Sequence, residues 1–269
     1  MSRSCSARIR WALGIAAIGI SSGPSAHESW LHAAAARIAP GETLQVGLDS
    51  GMAFPQLDHA VQRDRLAAAA LDCPGEPRAP LQPADAAELR FALRCASEGM
   101  ARLDVVLKPR TLTLRDEQID EYLDEIGADA ALRAQATAQR GKVPWTETYT
   151  KTARLVVAVG EGGRDAAWRT ASGSGDELVA LTPWSALRDD GSLEVRLLHE
   201  GQPVVGVPVG LRSSGESRSR FATTDADGVA RFTDVRAGAT LLHATHLEAD
   251  GEGRWRSRFV TLAFERPGG

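Results

Sequence analysis

The stretch LEVRLLHEGQPVVGVPVGLRSSGESRSRFATTDADGVARF, residues 193–232, decides the fold class. Residues 193–198 alternate apolar and polar side chains, the period of a strand with one buried face. His199-Glu200-Gly201-Gln202-Pro203 has turn composition, and residues 204–211 read as the next strand. Phe221-Ala222-Thr223-Thr224 leads into Asp225-Ala226-Asp227-Gly228, after which residues 229–233 alternate again. Asp-Gly between alternating strands is first a hairpin signal. The same residues open like a calcium loop, but its later ligand positions are missing. With Gly238 ahead of a closing pair at 240–247 and 258–264, the region holds seven short strands in about 90 residues, an immunoglobulin- or transthyretin-like sandwich.

Upstream, residues 43–48, 89–93 and 102–107 alternate, and residues 152–159 form a more continuous apolar strand. One segment breaks the rhythm. In residues 116–140, Ile119, Tyr122, Leu123 and Ile126 recur at helical spacing behind leading acids, which predicts a helical insertion broken at Gly127-Ala128-Asp129. Residues 161–176 are rich in Gly, Ser and Ala and read as a linker, with a long sandwich loop as the alternative. The expected organisation is therefore mainly β: a first sandwich over 27–160 carrying the insertion, and a second over 177–266.

The N-terminus reads as an address. Arg3, Arg8 and Arg10 precede a ten-residue apolar core at 11–20 and a small, polar stretch at 21–26. That is the layout of a secretory signal, and the core is too short to span a bilayer. Cleavage after Ala26 makes His27 the first mature residue, whereas cleavage after Gly23 is the competitor and an uncleaved anchor the alternative. Removal of residues 1–26 deletes three arginines and no acid, taking the formal charge from −4 to −7. A chain this acidic lacks the basic face of a nucleic-acid binder. Export to the periplasm, with no membrane span after cleavage, is the expectation. It also favours a disulfide between Cys73 and Cys95 across what reads as a proline-tipped hairpin, over two buried thiols.

His27-Glu28-Ser29-Trp30-Leu31 just after the leader, Glu121-Tyr122-Leu123 with Gly127, the run 146–155 (TETYTKTARL), and a tail with His243, His246 and a closing TLAFE together resemble one family. It is a family of bacterial periplasmic domains of unknown function associated with nickel and cobalt uptake, and the likeness spans essentially the whole mature chain. The resemblance implies two β-sandwiches and periplasmic binding or delivery of a transition metal. It also makes His246 the matching strand histidine.

The residues themselves permit such chemistry. An N-terminal His27 offers an α-amine, with a pKa of about 7.7–8.0, together with its ring nitrogen. Such ligands suit Cu, Ni, Co or Zn rather than Ca or Mg. His246 is the expected second ligand with His243 in reserve, since residues three apart on a regular strand face opposite sides. Glu28 or Glu248 is placed to complete the set. His32, His59 and His199 are read as bystanders, and the acids Glu117 to Glu125 as a solvated face. No HExxH, GxSxG, Walker or dinucleotide motif occurs, so no enzyme is expected.

The leading expectation is a non-enzymatic metal-binding or delivery protein that serves a membrane metal transporter or an envelope protein. The alternative is a structural interaction module, and a copper oxygenase ranks below both because only two tyrosines are present. The intact mass of the exported protein is expected to correspond to a start at His27. A start at Pro24 would remove the N-terminal chelate.

Overall fold

Four long strands organise the molecule: Gly99–Leu114, Trp145–Val159, Gly238–Ala249 and Arg254–Arg266. The computed structural model describes residues 28–51, 53–266 and 268, so the expected leader at 1–26 and His27 lie outside the described residues. The closing pair is longer than its alternation suggested, because Leu247, Trp255, Ser257 and Phe259 find buried partners beyond the sandwich proper.

These strands form the middle of a nine-stranded sheet. Its order runs from Arg220–Thr223 through Pro208–Ser213, Gly238–Ala249, Arg254–Arg266, Trp145–Val159, Gly99–Leu114 and Leu66–Asp72 to Ala79–Pro80, with Arg37–Ile38 also on Trp145–Val159. Arg254–Arg266 runs parallel to Trp145–Val159, in register from Arg254 opposite Thr146 to Ala263 opposite Leu155. That pairing joins the two halves of the chain in one sheet.

Alternation then assigns each face an outer sheet. Ala153, Leu155, Val157 and Val159 pack with a front sheet built from Glu28–Ala33, Thr43–Gly51, His59–Ala60 and Arg90–Arg94. Val156 and Ala158, with Leu242, Val260 and Leu262, pack with a back sheet of Asp176–Ala180, Leu193–His199, Gln202–Pro203 and Val229–Phe232. The architecture is mainly β and sandwich-like, with few helices. Each fully buried Leu or Val contributes about 1.5–3 kcal/mol relative to exposure.

The helical insertion forms as two helices, α1 (Asp116–Glu125) and α2 (Ala130–Gln139). They part at Gly127, whose φ of +67° is left-handed and suits glycine. Asp129 restarts the chain, its side chain accepting the Leu132 N–H at 2.8 Å. Ile119, Tyr122, Leu123 and Ile126 pack on the front face, where Trp145 and Trp255 stack with centroids 4.2 Å apart. Beneath them the fully buried Glu147 accepts from the Tyr122 hydroxyl at 2.9 Å, from Trp145 Nε1 at 3.1 Å and from Ser257. Burial raises the Glu147 pKa, and those three donors oppose the rise.

Residues 161–176 follow the central sheet closely. A short helix, Ala166–Arg169, buries Trp168 against Trp184 and Phe264, and Arg102 donates to the carbonyls of Ala167 and Thr170. On the same face the buried Arg154 bridges the layers, donating to Asp104 at 2.6 Å, to Glu177 at 2.8 Å and to the Leu178 carbonyl at 2.8 Å.

Cys73 and Cys95 form the expected disulfide, with Cα atoms 5.4 Å apart. The expected hairpin between them does not form. Leu66–Asp72 pairs within the central sheet, whereas Arg90–Arg94 pairs with Thr43–Gly51 in the front sheet, so the bridge ties two layers together. Phe91 and Leu93 face the core between those layers from the front side. The Asp225–Gly228 segment likewise turns, Asp225 Oδ1 accepting from Asp227 and Val229 N–H groups, but its flanking strands enter the central and back sheets rather than pairing.

Two stability outcomes follow from these ties. Replacing both cysteines by serine is expected to lower unfolding free energy by about 3 kcal/mol, from the loop entropy released. Arg154→Ala, which strands Asp104 and Glu177 without their cation, is expected to cost about 3–5 kcal/mol. Urea unfolding followed by tryptophan fluorescence measures both.

Candidate functional site

The first described strand begins with Glu28, paired opposite Gly51 at the end of the front sheet. Its carboxylate reaches down to the central sheet, where Oε1 lies 2.6 Å from His243 Nδ1. His243 is 4% exposed, so this ring and its partner sit in the seam between layers. The front strand is fastened there by Thr261 Oγ1, which donates to the Ser29 carbonyl at 2.8 Å.

The ring of His243 has room because residue 210 is glycine. Gly210 lies directly opposite on the neighbouring strand, and a Cβ there would come within 2.2 Å of His243 Nε2. Phe221 meets the ring edge-on with centroids 5.6 Å apart. It also fills the space over Gly127, where an added Cβ would lie 2.8 Å from the Phe221 ring. The α1–α2 junction, the second half of the chain and the first strand therefore converge on one imidazole.

Burial acts to raise the Glu28 pKa, but the charge and hydrogen bond of His243, with Arg212 and Lys151 behind them, outweigh it and hold the carboxyl below its ordinary value. An ionised Glu28 only accepts, so His243 Nδ1 carries the proton. Nε2 is then an acceptor when the ring is neutral, facing the Ser219 hydroxyl at 2.7 Å. Arg212 Nε, 3.2 Å from the Ser219 oxygen, donates to it and turns the hydroxyl proton toward the ring. Both ring nitrogens of His243 are therefore engaged, Nδ1 by Glu28 and Nε2 by Ser219.

Lys151 and Glu125 complete the electrostatics. Lys151 lies 3.3 Å from Ser29 Oγ and over the rings of Tyr149 and Phe259, at 5.6 and 5.2 Å from their centroids. Burial pulls its pKa down to about 8, with Glu28 working the other way. Glu125 on α1 is raised to about 7 by desolvation, then by Glu121 and Glu28. Most other acids of that helix are paired outward, Asp120 with Arg140 and Asp124 with Arg133. Glu28, Lys151, His243 and Thr245 line a cavity of about 10 Å³, the size of one water.

The structure brings together two of the four expected metal ligands, Glu28 and His243. His246 faces the back sheet, as the unbroken pairing of Gly238–Ala249 requires. Its Nδ1 accepts from Arg258 at 2.5 Å and its Nε2 lies 3.3 Å from Glu248 Oε1. Burial and the adjacent Arg258 cation lower the His246 pKa. Asp176 joins His199 and Arg258 at 3.0 and 3.2 Å, completing a network whose two ring nitrogens at His246 are both engaged. His32 is held by Asp49 at 2.6 Å, and His59 is exposed on the front sheet. Among the described residues no group of three or more His, Cys, Asp or Glu side chains is arranged to hold a metal ion.

Ser219 and Phe221 escaped the sequence reading because they lie in a Ser- and Arg-rich loop and on an edge strand, and Arg212 because it is a charged residue inside a strand paired on both sides. Lys151 did carry a signal: it is one of three lysines among 31 basic residues.

The sequence profile of the family described as Domain of unknown function (DUF4198) matches residues 25–248, and the chain belongs to that family. That description names no metal. No curated protein matches the chain in sequence. Among solved structures, a two fibronectin type-III domain segment from chicken tenascin is 10% identical, covering 87% of this chain and 97% of its own, with a TM-score of 0.24. The D0–D1 domain of intimin is 10% identical over 87% of this chain and 97% of its own, with a TM-score of 0.21. At such scores the likeness carries no argument, and the fold rests on the sheets described above. Among the described residues no helix is long and apolar enough to cross a membrane.

The depressed Lys151 pKa gives a pH signature. The folded state favours the neutral amine, so the unfolded chain binds more protons between about pH 8 and 10.5, and this group makes stability rise with pH across that window. Lys151→Met is expected to remove that rise and to be at least as stable as the parent protein at pH 7. Urea midpoints measured from pH 7 to 10.5 check both.

Proposed function

We propose that this is an exported metal-binding protein that takes up or hands over a transition-metal ion, nickel, cobalt or copper, as its cargo. The observation that carries the reading is the buried Glu28–His243 pair, set one residue after His27 in the sequence. Glu28 holds the imidazole by Nδ1, and an ion binding at Nε2 displaces the Ser219 hydroxyl that occupies it. A mature chain beginning at His27 adds an α-amine and a second imidazole to the same end of the front strand. Amine and imidazole nitrogens favour late first-row ions. In this reading Glu28 orients a ligand rather than binding the ion, and His246 belongs to the opposite face. Delivery to a membrane transporter fits a cargo site at the chain's first residues, where a partner can reach it.

Calorimetric titration of the mature protein with nickel and copper salts tests this. His243→Ala, and a single residue added ahead of His27, are each expected to weaken binding at least a hundredfold. Glu28→Gln is expected to weaken it about 10–100-fold, and His246→Ala less than threefold. If His246→Ala abolishes binding while His243→Ala leaves it intact, the reading fails.

A further inference from the structure

A carboxylate, an imidazole and a hydroxyl stand in line at the seam. His243 Nδ1 lies 2.6 Å from Glu28 Oε1, and His243 Nε2 lies 2.7 Å from Ser219 Oγ. With Glu28 ionised and the ring proton on Nδ1, Nε2 is the acceptor for the serine proton. That is the acid–base–nucleophile order of a Ser-His-Glu triad, which is recognised by geometry and roles and not by sequence position. Glu28, Ser219 and His243 come from separate strands and a loop, far apart in the chain at the first and last thirds, so no local motif marks them.

The row runs from the interior toward the surface. His243 is buried, whereas Ser219 is half-buried in the loop ahead of Arg220–Thr223, and the Phe221 ring beside the imidazole is 42% exposed. Arg212 supplies the charge that such chemistry needs. Its Nε donates to Ser219 Oγ at 3.2 Å, and among the described residues it forms no ion pair, so its terminal nitrogens remain for a second oxygen. A guanidinium placed there stabilises negative charge developing on Oγ and on a carbonyl oxygen bound next to it.

We propose that Ser219 is the nucleophile of a site that hydrolyses small carboxylic esters, with His243 as general base and Glu28 as the carboxylate that orients it. Ser219 Oγ bonds to the ester carbonyl carbon as its proton passes to His243 Nε2, leaving a tetrahedral oxyanion beside Arg212. The oxyanion collapses, the bond to the leaving alcohol breaks, and Nε2 returns the proton to that alcohol. A water molecule, giving its proton to Nε2 in turn, then cleaves the acyl-serine and releases the acid. The exposed Phe221 ring offers a flat apolar rest, which sets the class as aryl or short-chain esters. The proposal does not rest on the metal reading. An ion at Nε2 would displace Ser219 and stop the reaction.

The mature protein, held in excess chelator, is assayed with p-nitrophenyl acetate and with a fluorophosphonate, which phosphonylates an activated serine and releases fluoride. The parent is expected to turn over many equivalents of ester and to gain a phosphonyl group at Ser219, located by peptide mapping. Ser219→Ala is expected to lose the adduct and to cut turnover about a hundredfold or more. Arg212→Gln is expected to cut kcat by about tenfold or more. Labelling of the parent needs no variant and decides the matter should one fail to fold. An unlabelled parent, an adduct at another residue, or turnover unchanged in Ser219→Ala overturns the proposal. Nickel or copper binding without ester turnover overturns it and leaves the metal reading standing, whereas turnover without metal binding does the reverse.

Discussion

The parallel register between Trp145–Val159 and Arg254–Arg266 is the constraint on which the rest depends. It makes one sheet of strands contributed by both halves of the chain. Once it is set, alternation sends odd-numbered residues of Trp145–Val159 to the front and even-numbered ones to the back along the apolar part of the strand. The front sheet, the helices and the back sheet then each have a fixed apolar surface to cover. A one-residue slip would turn Leu155 and Val157 toward the back sheet and Arg154 toward the front core.

The polar residues along that strand show how the constraint is enforced. Glu147 and Lys151 project on the front side, the first under α1 and the second at the seam. Arg154 projects to the back and joins Asp104 to Glu177. Glu147 and Arg154 are buried and Lys151 is half-buried, and each is matched by partners only in this register. Desolvation makes such groups weak sources of stability but strong penalties on wrong arrangements. The run TETYTKTARL is thus a set of register pins, and its Tyr122 partner explains why a motif in the helical insertion accompanies it.

How much of this was legible in the sequence depends on range. Strand alternation, the break at Gly127 and the cysteine pairing are local or nearly so, and they could be read. The sharing of a central sheet could not, because no single-strand pattern distinguishes an edge from a strand paired on both sides. The hairpin expected between Cys73 and Cys95 failed for the same reason: alternation shows that a strand exists without showing which sheet it joins. Trp168 was the one large apolar side chain in the Gly-, Ser- and Ala-rich stretch at 161–176, and it is buried.

The histidines show the same logic at the scale of the site. Sequence reasoning correctly held that His243 and His246 face opposite sides of a regular strand, but alternation alone does not say which side the first strand covers. That choice falls to tertiary packing, and Ser29, held by Thr261 and close to Lys151, draws Glu28 onto the His243 side. Neighbouring charges then sort the rings. His246 sits against Arg258, whose cation opposes a second positive charge, whereas His243 sits against the Glu28 carboxylate. Of two imidazoles three residues apart, His243 is therefore the one paired with a carboxylate across the layers and His246 the one held by a guanidinium on its own sheet.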